Sequence, residues 1–211
     1  MSDAAQTALG ERFRRAMVFA AELHDGQYKK GGHNIPYISH LLGVTSLVIE
    51  AGGDEDMAIG ALLHDAVEDQ GGRPTLERIR ADYGERVAHI VEGCTDSEIE
   101  PKPPWLERKK AYVGHVREHA DSEVTLVSVA DKLHNVRAIL GDFREIGDPV
   151  FDRFKGRKDG TLWYYRAMVE AFRDAMVRNG LTPYARGNQR LLDELEREVS
   201  ELESAVATRR R

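Results

Sequence analysis

Hydrophobic residues recur at three- and four-residue spacing along nearly the whole chain, which is the pattern of amphipathic α-helices. No stretch shows the sustained apolar/polar alternation, bounded by turn residues, that predicts a half-buried β-strand. The breaks between the periodic segments coincide with glycine and proline, as at Gly52-Gly53 and Pro101-Lys102-Pro103-Pro104. We therefore expect an all-α fold. The predicted helices cover about residues 8–25, 39–51, 54–69, 75–82, 84–95, 104–120, 122–141, 161–179 and 188–207.

The segment 141–160 carries no clear helical pattern and is predicted as a loop. It mixes glycine, aspartate and proline with four cationic residues, Arg153, Lys155, Arg157 and Lys158. A loop of that length inside a compact domain is usually functional or mobile. Charged loops are equally common as solvated surface connections, so both interpretations stay open.

The last predicted helix has a narrow apolar stripe. Its members follow a 3-4-3-4 spacing and are Leu192, Leu195, Val199, Leu202 and Val206. The stripe is shorter than the three to four heptads that make a coiled coil credible. The helix therefore either folds back on its own domain or meets a partner subunit, which would make a homodimer possible.

Composition narrows the class of protein. The 211 residues, 41% hydrophobic and 31% charged, predict one globular domain over 1–211. A formal net charge of −6 argues against a nucleic-acid binder that works by bulk phosphate attraction. The single cysteine, Cys94, excludes an intrachain disulfide and a thiolate zinc cluster, and is expected to be a small buried residue. No run is long and apolar enough to span a membrane, so we expect a soluble, cytoplasmic protein.

The segment 61–69 is the most informative part of the chain. On a continuous helix, His64, Asp65, Glu68 and Asp69 fall within an arc of roughly 140°, opposite a strongly apolar face. Adjacent imidazole and carboxylate groups can converge on one cation and suit Mn²⁺, Fe²⁺, Co²⁺ or Zn²⁺. A lone His-Asp pair can equally be a core histidine bonded to its neighbour, so further ligands are needed to decide.

Two other segments supply matching side chains. His40 opens the helix predicted from residue 39, and Asp131 lies in an apolar stretch of the helix predicted over 122–141. A carboxylate embedded there is costly unless it is paired or binds a metal. An ion pair with a lysine or arginine is the alternative for Asp131.

The order His40, His64-Asp65, Asp131 resembles the HD superfamily of metal-dependent phosphohydrolases. The extended motifs, Pro-Tyr-Ile-Ser-His at 36–40, His-Asp-Ala-Val-Glu-Asp at 64–69 and Ala-Asp-Lys-Leu-His-Asn at 130–135, are similar to the hydrolase domain of Rel/Spo-type alarmone enzymes. The match covers about residues 10–140, with helices 161–207 completing the domain. It implies an HD-domain bundle of eight to nine helices. It also implies a stand-alone small alarmone hydrolase, because the chain after Asp131 is too short for the synthetase and regulatory domains of the longer enzymes.

The resemblance assigns roles at the reaction centre. One divalent ion, with Mn²⁺ as the expected metal, would be held by His40, His64, Asp65 and Asp131. Glu68 and Asp69 would position and deprotonate the attacking water.

The resemblance also assigns contacts to the substrate. Lys29 and Lys30 fall where the family has a basic pair beside the nucleotide, and Asn135 matches a ribose-contacting asparagine. The family's usual pair is Arg-Lys, so Lys29 is a departure that puts base preference in question, since lysine lacks the planar guanidinium.

The implied reaction is hydrolysis of guanosine 3′,5′-bis(diphosphate) to GDP and pyrophosphate. The alternatives are a broader HD-type nucleotide or dinucleotide phosphatase and a catalytically silent HD binding module. The presence of Glu68 and Asp69 beside a complete ligand set counts against the silent module.

Two sets of residues have no role assigned by the motifs. The segment 161–165 could bring an aromatic or hydroxyl group to the pocket or could simply pack on the core. The remaining histidines are interpreted as structural or surface residues: His24, His33, His89, His115, His119 and His134.

Overall fold

The computed structural model describes residues 8–31, 34–97 and 101–209. His33 lies outside these residues. Within them the chain forms ten α-helices and one short 3₁₀ helix, with no strand and a single isolated bridge between Tyr28 and Pro36. The all-α prediction is confirmed, with one or two helices more than expected. The helices are α1 (Glu11–Leu23), α2 (Ile38–Glu50), α3 (Glu55–Leu63), α4 (Ala66–Asp69), α5 (Arg73–Tyr83), α6 (Glu85–Cys94), α7 (Trp105–His119), α8 (Ser122–Ile146), α9 (Arg157–Asn179) and α10 (Ala185–Arg209), and the 3₁₀ helix spans Asp148–Arg153.

The helix predicted over 54–69 is divided at the His-Asp pair. Helix α3 ends at Leu63 and α4 begins at Ala66. The ring Nδ1 of His64 lies 2.8 Å from the carbonyl oxygen of Ala61, which is the acceptor that the backbone N–H of Asp65 would use in a continuous helix. A side-chain bond of this kind competes with the helical ladder. The prediction of one continuous helix is therefore wrong at the residues with the strongest functional signal.

The segment 141–160 is not a long loop. Helix α8 continues to Ile146, the 3₁₀ helix follows, and α9 begins at Arg157. Val150 and Phe151 are buried and anchor the connection. Pro149 stands at the start of the 3₁₀ helix, where its missing N–H costs nothing. The apolar pair Val150-Phe151 could have indicated a buried anchor, but the glycine and proline residues around it favoured the prediction of a loop.

Helix α8 is the central element of the larger hydrophobic core. It contacts α2, α6, α9 and α10, and its residues from Val124 to Asp131 are all buried. A helix that is apolar on all sides belongs in the interior. Asp121 caps its N-terminus, because Oδ1 accepts hydrogen bonds from the backbone N–H groups of Glu123 and Val124, each at 2.9 Å. Asp131 therefore sits on a rigid, deeply packed support.

Helix α10 folds back on its own chain. The five residues of its apolar stripe are 0–3% exposed and pack in the core with α8 and α9. Ion pairs flank the stripe, for example Arg137 with Glu194 at 2.6 Å. The structure thus shows the fold-back alternative, with the stripe covered by its own chain, and a homodimer stays a prediction.

Cys94 is buried as expected, with its Sγ 3.4 Å from the hydroxyl oxygen of Ser128. Across the described part of the chain, none of the helices combines the length and apolarity that a membrane crossing requires.

Candidate active site

Four side chains from three parts of the fold converge on one point. The Nε2 atom of His40 lies 3.2 Å from Asp131 Oδ1 and 3.6 Å from Asp65 Oδ2. The Nε2 atom of His64 lies 3.2 Å from Asp65 Oδ2 and 3.7 Å from Asp131 Oδ1. A metal ion with bonds of about 2.0–2.2 Å holds its ligand atoms roughly 3.0–3.6 Å apart. The ligand atoms of His40, His64 and Asp65 all lie within 4.8 Å of one another, so these three are spaced as ligands of a single ion. Asp131 contacts both histidines of this group.

The fold fixes the orientation of His64 before any ion is present. A carbonyl oxygen can only accept, so Nδ1 of His64 must carry the proton that it donates to Ala61. In the neutral ring Nε2 is then the nitrogen with the lone pair, and this atom is fully buried with no hydrogen-bond partner. Such an orphaned acceptor fits a metal ligand.

The electrostatics of the cluster favour a cation. Burial lowers the pKa of His64, but Asp65 and Asp131 outweigh this effect and hold the pKa well above its usual value. The same two carboxylates raise the pKa of His40 against burial. The cluster attracts positive charge, which a divalent ion would supply.

Neighbouring side chains hold the two carboxylates. The hydroxyl of Tyr37 donates to Asp65 Oδ2 at 2.5 Å, and Asn135 Nδ2 donates to Asp131 Oδ1 at 2.5 Å. Lys132 forms an ion pair with the other oxygen of Asp131. These contacts leave each carboxylate in one orientation relative to the histidines.

His134 supports this site as a structural residue, a role that the sequence interpretation did not connect to the site. Its Nδ1 lies 2.9 Å from Nδ1 of His40. Burial and the neighbouring His40 lower the pKa of His134 to about 4, so the ring is neutral and can accept the Nδ1 proton of His40. This bond leaves Nε2 of His40 facing the carboxylates. Close approach of the ring requires glycine at Gly43, where a Cβ would overlap Nε2 of His134.

The cluster lies at the wall of a cavity of about 470 Å³. Eight of the residues lining the cavity are cationic and five are acidic, although the whole chain carries a net charge of −6. The cationic lining residues are Lys29, Lys30, Lys102, Arg108, Lys109, Lys132, Arg153 and Lys155. An anionic ligand thus finds a locally positive site on an acidic protein.

Glu68 and Asp69 both line the cavity, one turn after the His-Asp pair. Glu68 Oε1 pairs with Arg108 at 3.2 Å and with Lys102 at 3.4 Å. Burial and the nearby Asp96 raise the pKa of Glu68 above its ordinary value. Asp69 accepts a hydrogen bond from Gln27 Nε2 at 2.8 Å. Both carboxylates stand within the cavity in which a water would have to be activated.

The predicted substrate contacts Lys29, Lys30 and Asn135 also line the cavity. The four cations expected in one loop divide into two groups. Arg153 and Lys155 line the cavity, whereas Arg157 and Lys158 are not among its lining residues. The latter pair with Asp152 and Asp148, each at 2.6 Å.

Sequence reasoning missed a group of three cationic residues in the cavity lining, which we call the cationic wall. It consists of Lys102, Arg108 and Lys109, and the buried Asp96 pairs with both Arg108 and Lys109. Lys102 stands in a proline-rich break and was interpreted only as a helix boundary. The adjacent basic residues of α7 were the available signal, but their partners are distant in the sequence.

The sequence left open whether residues 161–165 face the pocket or pack on the core, and the start of α9 does both. Thr161, Tyr164 and Tyr165 line the cavity and are also buried in the core. Lys109 Nζ lies 4.8 Å from the ring centroid of Tyr164, which joins the aromatic group to the cationic wall.

A family profile described as the HD domain matches residues 16–158. The chain belongs to the HD-domain family. This finding confirms the resemblance read from the histidine and aspartate motifs, and HD hydrolases are metal-dependent.

Curated relatives of this HD domain carry the name guanosine-3′,5′-bis(diphosphate) 3′-pyrophosphohydrolase. One is MESH1 of Xenopus tropicalis, 42% identical over 121 residues, a match that covers 56% of this chain and 64% of the relative. Another, from Aquifex aeolicus, is 40% identical over 136 residues, covering 64% of this chain and 18% of the relative. The chain therefore spans less than two thirds of the length of these relatives.

Solved structures agree on the fold of the HD domain. A metazoan ortholog of SpoT, described as hydrolysing ppGpp, gives a TM-score of 0.69 at 24% identity, covering 90% of this chain and 97% of that one. A protein from Listeria monocytogenes gives a TM-score of 0.64 at 31% identity, covering 76% and 96%.

Proposed function

We propose that this HD domain hydrolyses guanosine 3′,5′-bis(diphosphate) to GDP and pyrophosphate, using one divalent metal ion, Mn²⁺. The observation that carries the proposal is the cluster of two histidines and two aspartates at the wall of a cation-rich cavity. The activity printed in the names of the curated relatives supports the choice of substrate.

The metal would be held by His40, His64, Asp65 and Asp131. A divalent ion bound there would withdraw charge from phosphoryl oxygens and lower the pKa of a bound water. The chain itself supplies the orientation of the ligands, through Ala61 for His64 and through His134 for His40.

The cationic wall would receive the phosphates. Lys102 and Arg108 contact the candidate base Glu68 directly, so phosphate oxygens bound by the cationic wall would lie close to the attacking water. A substrate that carries several negative charges would otherwise be repelled by the four carboxylates of the site.

Glu68 and Asp69 would remove the proton from the water. The water oxygen would form a bond to the phosphorus attached to the 3′ oxygen, and the bond between that phosphorus and the 3′ oxygen would break. The 3′ oxygen would leave with a proton as the hydroxyl of GDP, and the two phosphoryl groups would leave as pyrophosphate. The raised pKa of Glu68 suits a proton acceptor that works nearer to neutrality.

The decisive experiment is incubation of the protein with guanosine 3′,5′-bis(diphosphate) and Mn²⁺, with released pyrophosphate as the readout. GTP, GMP and a 2′- or 3′-phosphorylated dinucleotide serve as competing substrates, and His64→Ala serves as the inactive control. We expect pyrophosphate and GDP in equal amounts from the bis(diphosphate). Faster release of inorganic phosphate from the other nucleotides would replace this proposal with the broader phosphatase. No turnover of any of them would favour the silent module.

A further inference from the structure

The cavity has a second end whose chemistry differs from that of the metal-ligand end. Asp131 and Asp142 both lie on α8 and both line the cavity. Eleven residues of α-helix place them on nearly the same face, about 20° apart around the axis and about 16 Å apart along it. The face of α8 between them therefore forms one continuous wall of the cavity.

Asp142 forms an ion pair with Arg153, which belongs to the 3₁₀ helix. The guanidinium also packs closely against the backbone of Gly31, where a Cβ would stand 2.8 Å from Nη1 of Arg153. Gly31 has a φ of +152°, a conformation that L side chains rarely adopt. The guanidinium is thus held by Asp142 and Gly31, its side chain is only 16% exposed, and the surface left to it lines the cavity.

Apolar residues that lie close to Asp142 or Arg153 along the chain also line the cavity. Ala138 and Ile139 precede Asp142 on the same helix by one turn, Phe154 follows Arg153, and all three line the cavity. The carboxylate of Asp142 neutralises the charge of Arg153. A planar cation whose charge is already balanced, set beside apolar side chains, suits the face of an aromatic ring better than it suits a further phosphate.

We infer that Asp142, Arg153 and Phe154 form a subsite for a planar nucleobase, with the guanidinium of Arg153 as the surface on which the base stacks. The inference rests on the proposed function for the identity of the nucleotide. It makes Arg153 a specificity-determining residue, placed at the far end of the cavity from the bond that breaks.

The test uses the Mn²⁺-loaded protein and two small probes, guanosine and inorganic pyrophosphate. Their dissociation constants are measured by ligand-observed NMR for the original protein, Arg153→Lys and Asp142→Asn. Arg157→Lys is the matched control, because Arg157 lies four residues away, is exposed, and does not line the cavity. Arg153→Lys keeps the positive charge and removes only the planar guanidinium group.

We expect Arg153→Lys to weaken guanosine binding about tenfold, the scale of one base–plane stacking contact, and to leave pyrophosphate binding unchanged. The KM for the bis(diphosphate) rises by a similar factor while kcat stays within about twofold. Asp142→Asn also weakens guanosine binding, because the guanidinium loses the partner that orients it. Arg157→Lys matches the original protein in every measurement.

Two results overturn the inference. Equal guanosine binding by Arg153→Lys and the original protein would remove the stacking role. Tighter pyrophosphate binding by Asp142→Asn would show that the released cation serves phosphate instead of a base. Failure of the bis(diphosphate) to be hydrolysed would refute the proposed function. The guanosine measurement would still decide whether Arg153 stacks on a nucleobase.

Discussion

His64 donates its Nδ1 proton to the carbonyl oxygen of Ala61, 2.8 Å away and three residues earlier in α3. This bond lies where α3 ends, holds the proton on Nδ1 and directs Nε2 at two carboxylates. The sharpest local departure from regular helix and the candidate metal centre are therefore the same feature.

Removal of the metal is expected to abolish turnover and to lower the melting temperature. The four donors come from α2, the turn between α3 and α4, and α8, so an ion bound to the native state links separate elements and stabilises it. Exhaustive chelation followed by thermal unfolding and elemental analysis checks this. His64→Ala should reduce metal content and rate together. Unchanged melting temperature and turnover after chelation would contradict the metal centre.

Replacing the candidate bases should separate chemistry from metal binding. Glu68→Gln and Asp69→Asn keep the side-chain shape and remove the proton acceptor, and neither residue lies in the cluster of two histidines and two aspartates. We expect near-normal metal content with kcat reduced about 10²-fold or more, the usual scale for a general base. Loss of the metal in Glu68→Gln would mean that Glu68 is a metal ligand, contrary to its assignment as a base.

The pH dependence of kcat should respond to Asp96. Burial and Asp96 raise the pKa of Glu68, so removing this negative charge in Asp96→Asn should lower that pKa. Arg108 and Lys109, released from Asp96, would lower it further. A base works when deprotonated, so activity falls as the pH drops through its pKa, and a lower pKa moves this acid limb to lower pH.

The measurement is kcat against pH at saturating Mn²⁺ and substrate. Asp174→Asn is the control, since Asp174 pairs with Arg117 on the exposed surface and does not line the cavity. Breaking the buried Asp96 pair should also cost about 3 kcal/mol or more of stability, which thermal unfolding reports. An acid limb that does not move in folded Asp96→Asn would rule out the coupling to Glu68.

The sequence was sufficient to predict that the four proposed ligands come together, because each lies in a short motif with a local signal. Asp131, for example, stands out as a charge in an apolar helix. The helical class was predictable for the same reason, since helical periodicity is a local property. The division of the predicted helix at His64 was not, because it depends on a side-chain bond that periodicity does not register.

The cationic wall could not be predicted because its contacts are long-range. Lys102 reaches Glu68 across 34 residues, and Arg108 reaches it across 40. The contact of His134 with the site could not be predicted either, since its partner His40 is 94 residues earlier. Spacing in the sequence identifies groups on one helix face but does not identify which faces meet.

Gly43→Ala should damage the site without touching any proposed ligand. The added Cβ would overlap the ring of His134, which must then move away from His40. We expect a loss of about 1–3 kcal/mol in stability from overpacking, together with weaker metal binding. Gly114→Ala is the matched control, because it also lies inside a helix and its Cβ would meet nothing within 4 Å. That change should stabilise the protein by up to about 1 kcal/mol. Equal metal affinity in both variants would refute the role of His134.

The apolar stripe of α10 contributes to the stability of the fold because it is buried in the core. Leu195 is fully buried between α10 and the helices beneath it, whereas Leu181 is fully exposed in the connection before α10. Leu195→Ala removes buried methyl groups and leaves a cavity, which should cost about 2–5 kcal/mol, while Leu181→Ala should stay within about 0.5 kcal/mol of the original protein. Denaturant unfolding measures both, and light scattering measures mass in solution. Because the stripe is covered by its own chain, neither substitution should change that mass. A mass that halves in Leu195→Ala with stability retained would show that the stripe joins two copies after all.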